Sequence, residues 1–190
     1  LGDRGRLEEA LGEVRQAQTL DPLSPIISAV EAWVHYCARR YDQAIEQCEK
    51  ALELDSDFGP AHYLLALVYL QQDKCDQALN AAETAARLSK AHPSDLGVLG
   101  IAYARAGRKS EALETLRQLE ERPADQPVRA WAIGVIHLAL GEQDAAVDWL
   151  NEAIDRRDAL VTDLKVNPLY DPLRSHPRFN DLLRRLGLEP

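Results

Sequence analysis

The sequence predicts an all-α chain of stacked helix hairpins, closed at its C-terminal end by a separate capping segment. Three observations carry that expectation. Marker alanines fall at Ala10, Ala44, Ala78, Ala112 and Ala146, each 34 residues from the last and without one insertion. Four residues after each marker stands Val14, Cys48, Ala82, Leu116 or Leu150, and seven after it Ala17, Ala51, Ala85, Leu119 or Ala153. Positions i, i+4 and i+7 form one apolar face of a helix, and small residues there admit a close neighbour. Finally, 27 Ala and 29 Leu, both strong helix formers, outweigh 10 Gly and 10 Pro.

The elements follow in order. The chain opens on a second helix without its first, Arg4 to about Leu20, and with no Met at its start it reads as a piece of a longer protein. Each later marker helix is preceded by another. The beats of these first helices are Leu65, Ala66 and Tyr69, then Leu99, Gly100 and Tyr103, then Ile133, Gly134 and His137. Polar breaks at Gln71–Lys74, Ala106–Arg108 and Leu140–Glu142 separate the two helices of a unit. Gly107 and Gly141 suit the left-handed conformation that ends a helix. Pro22, Pro93 and Pro127 lie between units, where proline stops or starts helices. The array spans residues 1–157, a half repeat followed by four full ones.

After Arg157 the beat ends. Pro168, Pro172 and Pro177 forbid one long helix over 158–190. Pro177 fits the first turn of a final helix with Phe179, Leu182, Leu183 and Leu186 on one face. Such a helix seals the open end of a stack, which repeat arrays require.

Composition narrows function. Net charge is −9, from 22 basic and 31 acidic residues, with no basic stripe, so phosphate neutralisation on nucleic acid is not expected. The longest apolar run, Tyr63 to Leu70, is too short to span a membrane. Cys37, Cys48 and Cys75 contain no CxxC spacing and read as small core residues in a reducing compartment, which favours the cytoplasm, although an extracytoplasmic arm of a membrane protein stays open. No histidine pair has metal-ligand spacing, and no serine sits in a GxSxG elbow. Gly97 and Gly100 lack the strand before and the lysine after that a phosphate loop needs. No catalytic residue, metal site or cofactor is expected, and so no enzyme.

The period and the residues His62, Leu65, Ala66, Tyr69, Ala78, Ala82 and Ala85, then Leu96, Leu99, Gly100, Tyr103, Ala112, Leu116, Leu119 and Pro123, resemble the tetratricopeptide repeat. The family's leading Trp is absent, and His35 and His137 stand where Tyr is usual. The resemblance implies a right-handed superhelix, an α-solenoid, whose inner wall is lined by the first helices. Its groove positions map to Trp33 and Tyr36, to Tyr63, Leu67 and Leu70, to Ile101, and to Trp131 and Val135. The Lys, Arg and Asn with which some members grip a C-terminal carboxylate are missing. The implied partner is a protein or peptide: an apolar peptide, helix or partner face on this wall. The alternative is a spacer or self-association module, including a homodimer, whose groove is filled internally.

A second resemblance lies in Asp171-Pro172-Leu173-Arg174, Pro177-Arg178-Phe179 and Leu182-Leu183-Arg184-Arg185-Leu186-Gly187-Leu188, with Leu20 to Ile27 at the first junction. These stretches look like repeat regions of bacterial multidomain signalling proteins that carry a serine/threonine kinase, a nucleotide cyclase or a winged-helix regulator. That likeness implies a docking or sensory arm.

Overall fold

In the computed structural model, which describes residues 2–188, the chain folds into helices paired as hairpins. Two compact units divide it, Leu1–Leu88 and Ser89–Pro190. The first holds α1 (Gly2–Leu20), α2 (Pro25–Cys37), α3 (Tyr41–Leu54), α4 (Gly59–Gln71) and α5 (Cys75–Leu88). Within it α2 pairs with α3 and α4 with α5, while α1 packs on α2 and α2 on α4. The second holds α6 (Pro93–Arg105), α7 (Lys109–Glu120), α8 (Arg129–Ala139) and α9 (Gln143–Asp155). There α6 pairs with α7 and α8 with α9, and α6 packs along α8.

The 34-residue beat has a packing cause. Ala44, Ala78, Ala112 and Ala146 have no exposed surface, and Ala51, Ala85, Leu119 and Ala153 are buried with them. At the buried alanines a larger side chain would overpack the interior of the hairpin. In α1, by contrast, Ala10 and Ala17 remain half-buried.

The hairpin turns share one geometry. Arg39, Asp73, Gly107 and Gly141, again 34 apart, all take positive φ, at 60°, 56°, 75° and 83°. The residue after each donates its N–H five positions back: Arg40 to His35, Lys74 to Tyr69, Arg108 to Tyr103, Glu142 to His137, at 2.8–3.0 Å. This helix-ending motif satisfies carbonyls the helix leaves open. Only the two glycines announce it in sequence, since arginine and aspartate rarely adopt that conformation. The first helices open on proline: Pro25, Pro60 and Pro93 occupy the first turn of α2, α4 and α6, where the absent N–H has no intrahelical partner. Pro22 and Pro127 stay in the connecting turns.

Glycine allows α6 to lie close on α8. A Cβ on Gly97 would stand 3.0 Å from the Trp131 ring and 3.1 Å from the Ala132 Cα, and one on Gly100 2.4 Å from the Ile136 Cδ1. These are the helix-packing contacts that a phosphate-loop reading of Gly97 and Gly100 would miss.

The C-terminal segment follows the proline expectation. Short 3-10 turns run over Ala159–Val161 and Pro168–Leu173, and a final helix, α10 (Phe179–Arg185), packs on α9. Phe179, Leu182 and Leu183 are buried. Pro177 sits just ahead of α10 rather than inside its first turn. Arg178 reaches back to Asp144 and Asp148 on α9, and Arg185 to Asp155.

Candidate functional site

The groove positions named from sequence lie on the first helices α2, α4, α6 and α8, and they fare differently. Tyr36, Leu67, Leu70, Ile101, Trp131 and Val135 are buried. Trp33 and Tyr63 are half-buried and keep surface for a partner. On α2 the Trp33 ring lies 5.4 Å from the Tyr36 ring, which in turn lies 6.3 Å from Tyr41. Ring contacts of this kind fix the orientation of Trp33 before any ligand arrives.

In the second unit the expectation of an open wall needs correction at Trp131 and Val135. Trp131 is 2% exposed, and the C-terminal segment supplies its polar partner. Its Nε1–H donates to the Tyr170 hydroxyl at 2.7 Å, and that hydroxyl donates to the Leu160 carbonyl at 3.2 Å. The chain itself thus satisfies both the apolar ring and its one polar tip. A partner group at the Trp131 indole N–H would have to replace the Tyr170 hydroxyl. Tyr170 carries little signal in the sequence, an aromatic hydroxyl amid prolines.

Arg129 is another residue whose role emerges only in three dimensions. It is buried, donates from Nε to the Leu119 carbonyl at 2.8 Å and from Nη2 to the Glu120 carbonyl at 2.9 Å, and lies over the Trp149 ring. It therefore caps the open C-terminal carbonyls of α7 and holds the helix that carries Trp131.

Burial and ion pairing shift several titratable groups of the folded chain. Burial pushes the Cys48 thiol up to about 12, so it is not a thiolate at neutral pH. His35 stands buried beside Glu31, 3.6 Å away, and burial holds its pKa below the usual histidine value. His176 and Arg178 together hold the exposed Asp144 carboxyl below its ordinary range. Among the described residues, no group of three or more His, Cys, Asp or Glu side chains is placed to hold a metal ion, and no helix is long and apolar enough to cross a membrane. A cavity of about 470 Å³ beside the start of α8 and the end of α9 sets Arg156 and Arg157 against Asp125 and Asp158. Its charges balance, and it brings together no nucleophile and base.

In the C-terminal segment the Asp163 carboxyl is shifted upward. Burial raises its carboxyl to about 6, opposed by the Asn167 amide donating to Oδ2 at 2.9 Å, and Oδ1 has no partner among the described residues. A folded-state value raised above the unfolded one favours folding below the unfolded value, and that contribution is lost as pH rises through about 6. Asp163→Asn is therefore expected to raise the urea midpoint of the second unit above that pH and to give no gain well below it. An equal shift at both pH values would assign the effect to something other than the carboxylate.

Comparison with known proteins agrees with this geometry. The tetratricopeptide-repeat model matches residues 1–57, 63–127 and 99–160. No curated protein matches the chain. Among solved structures, TTC0263 of Thermus thermophilus, a thermophilic protein of this repeat type, is 20% identical with a TM-score of 0.66, over 97% of this chain and 94% of that one. YrrB, a protein of the same repeat type with an unusual peptide-binding site, is 24% identical with a TM-score of 0.53, over 84% of this chain and 83% of that one. MamA is 20% identical with a TM-score of 0.56, over 82% of this chain and 91% of that one. At these identities the likeness is one of fold.

Proposed function

The chain belongs to the tetratricopeptide-repeat family, and from that premise we propose that it is a non-catalytic docking module taking an apolar peptide, helix or partner face around Trp33 and Tyr63. Repeats of this family mediate protein–protein interaction, and the fold is typically a scaffold without catalysis. The observation that carries the reading is the contrast along the first helices: six groove positions are closed, while two aromatics, Trp33 and Tyr63, stay half-exposed in one unit. Trp and Tyr are among the side chains that most often dominate binding energy. The peptide-binding site of YrrB adds support by fold, and the sequence likeness of the C-terminal segment supports a place in a bacterial signalling or regulatory protein.

The test is a peptide selected from a random display library and titrated by isothermal calorimetry. Trp33→Ala with Tyr63→Ala is expected to weaken binding by about thirtyfold or more, with far-ultraviolet circular dichroism unchanged. Undiminished affinity in the folded double variant would refute the site. A second reading, a spacer or self-association module, draws on the Trp131 contact, where the chain already fills its own wall. A library that yields no binder would favour it.

A further inference from the structure

A continuous run of hydrogen bonds leads from a buried carboxyl to the Trp131 indole. Asp163 lies in the segment after α9 and accepts the Asn167 amide on Oδ2 at 2.9 Å. Asn167 is buried, and its own Oδ1 accepts the Leu169 N–H at 2.9 Å while its carbonyl accepts the Tyr170 N–H at 3.3 Å. Those two bonds open the 3-10 turn Pro168–Leu173, which carries Tyr170. The Tyr170 hydroxyl ends the path by accepting the Trp131 indole N–H. The side chain of Asn167 therefore links the state of Asp163 to the turn that holds Trp131.

The Asp163 carboxyl sits where its two protonation states differ strongly. Oδ1 is buried without a partner among the described residues, and Oδ2 has the one amide donor. An ionised carboxylate can accept about four hydrogen bonds. Leaving such an oxygen buried and unpaired costs free energy that the neutral acid does not incur to the same degree. Neighbouring charges do not compensate, since burial and the Asn167 amide dominate the behaviour of the group. The cations of the surrounding elements are committed elsewhere. Arg129 of α8 bonds the Leu119 and Glu120 carbonyls, and His137 bonds Glu142. Arg156 of α9 pairs with Glu152, and Arg174 of the segment itself bonds Asp171 and the Lys165 carbonyl. His176 and Arg178 are held by Asp144. The acidic Asp158 accepts the Leu160 N–H.

We propose that the stretch from Ala159 to Leu173 is a strap whose hold on Trp131 is released by ionisation of Asp163. The closed strap keeps the carboxyl in surroundings suited to the neutral acid. Lifting the strap returns the carboxylate to water, and the proton goes to solvent. Opening therefore releases a proton and is favoured as pH rises. The closed value is raised to about 6 by burial, against about 3.9 for a free aspartate, so the advantage of the closed form is full below the lower value and lost as pH rises through the upper one. Apart from this path, the Gln143 side-chain amide ties the strap to α9 through the Pro172 carbonyl at 3.1 Å. Access to one groove position of the second unit is thereby set by pH. The device lies wholly in that unit and is independent of the Trp33–Tyr63 reading.

The experiment is hydrogen exchange of the whole chain by nuclear magnetic resonance at about pH 5 and about pH 7.5. Each rate is divided by the intrinsic rate at the same pH to give a protection factor. Trp131→Phe identifies the Trp131 indole signal by its loss. In the parent, protection of that indole N–H is expected to fall about tenfold between the two conditions, while the buried Leu116 and Leu119 of α7 keep their amide protection. Asp163→Asn, uncharged at both pH values, is expected to protect the indole equally at both. Unchanged protection in the parent overturns the proposal, and so does an equal fall in Asp163→Asn. A parallel loss at Leu116 and Leu119 also overturns it, because the whole unit and not the strap would then be opening.

Discussion

Trp131→Ala is expected to destabilise the second unit by about 3–5 kcal/mol, the cost of deleting a large buried aromatic. Such a loss is a large share of the stability of any small folded unit. The ring is buried against Gly97, where a Cβ would already crowd it, so the space left by Ala has walls of backbone and helix that collapse poorly. The substitution also removes the donor that ties Tyr170 of the C-terminal segment to α8, while the Tyr170 hydroxyl bonds the Leu160 carbonyl within that segment. Tyr170→Phe separates the two effects. It keeps the packing and strands the Trp131 Nε1–H and the Leu160 carbonyl, at a cost of about 1–3 kcal/mol. A double-mutant cycle in urea should show coupling between the two positions, because both act through one contact. The near-ultraviolet dichroism of the second unit should fall in Trp131→Ala and persist in Tyr170→Phe. If Trp131→Ala melts with the parent, the C-terminal segment does not hold the unit, and Trp131 belongs to a surface after all.

That experiment also marks where sequence reasoning reaches its limit. The hairpins were legible because the cause is local and repeated: a small residue at every 34th position, buried each time between two helices from α2 onward. The prolines at 168 and 172 reported a break in helix because proline acts on its own turn. Whether Trp131 faces solvent depends on a residue 39 positions later, and no periodicity encodes that. The left-handed turn residues Arg39 and Asp73 were hidden for a related reason: their conformation is imposed by the shared turn geometry, against their own preference. One missed feature did leave a signal. Glu31 occupies the position held by Leu65, Leu99 and Ile133 in the later units, so a carboxylate replaces an aliphatic side chain in the beat.

Replacing that anomaly by the residues of its own register, Glu31→Leu with His35→Tyr, is expected to stabilise the first unit by about 1–4 kcal/mol near neutral pH, as exchanging a buried polar pair for packed side chains commonly does. The pair is poorly satisfied. Glu31 and His35 are both buried, the facing atoms are 3.6 Å apart, and His35 Nδ1 has no hydrogen-bond partner among the described residues. The single changes should go the other way: His35→Tyr alone leaves a buried carboxylate without its neighbour. The pH dependence follows from the direction of the His35 shift. Burial lowers its folded-state pKa from 6.5, with Arg40 and Arg15 adding to that lowering and Glu31 opposing it. The unfolded chain therefore takes up a proton at a pH where the folded one does not. The contribution from neutral His35 is fully present above about 6.5 and is lost as pH falls below it. Urea midpoints measured on both sides of that value should fall with acid in the parent and change less in the double variant. A double variant that is both weaker than the parent and equally acid-sensitive would mean that Glu31 and His35 are satisfied by contacts of α1 and α3 that the register does not predict.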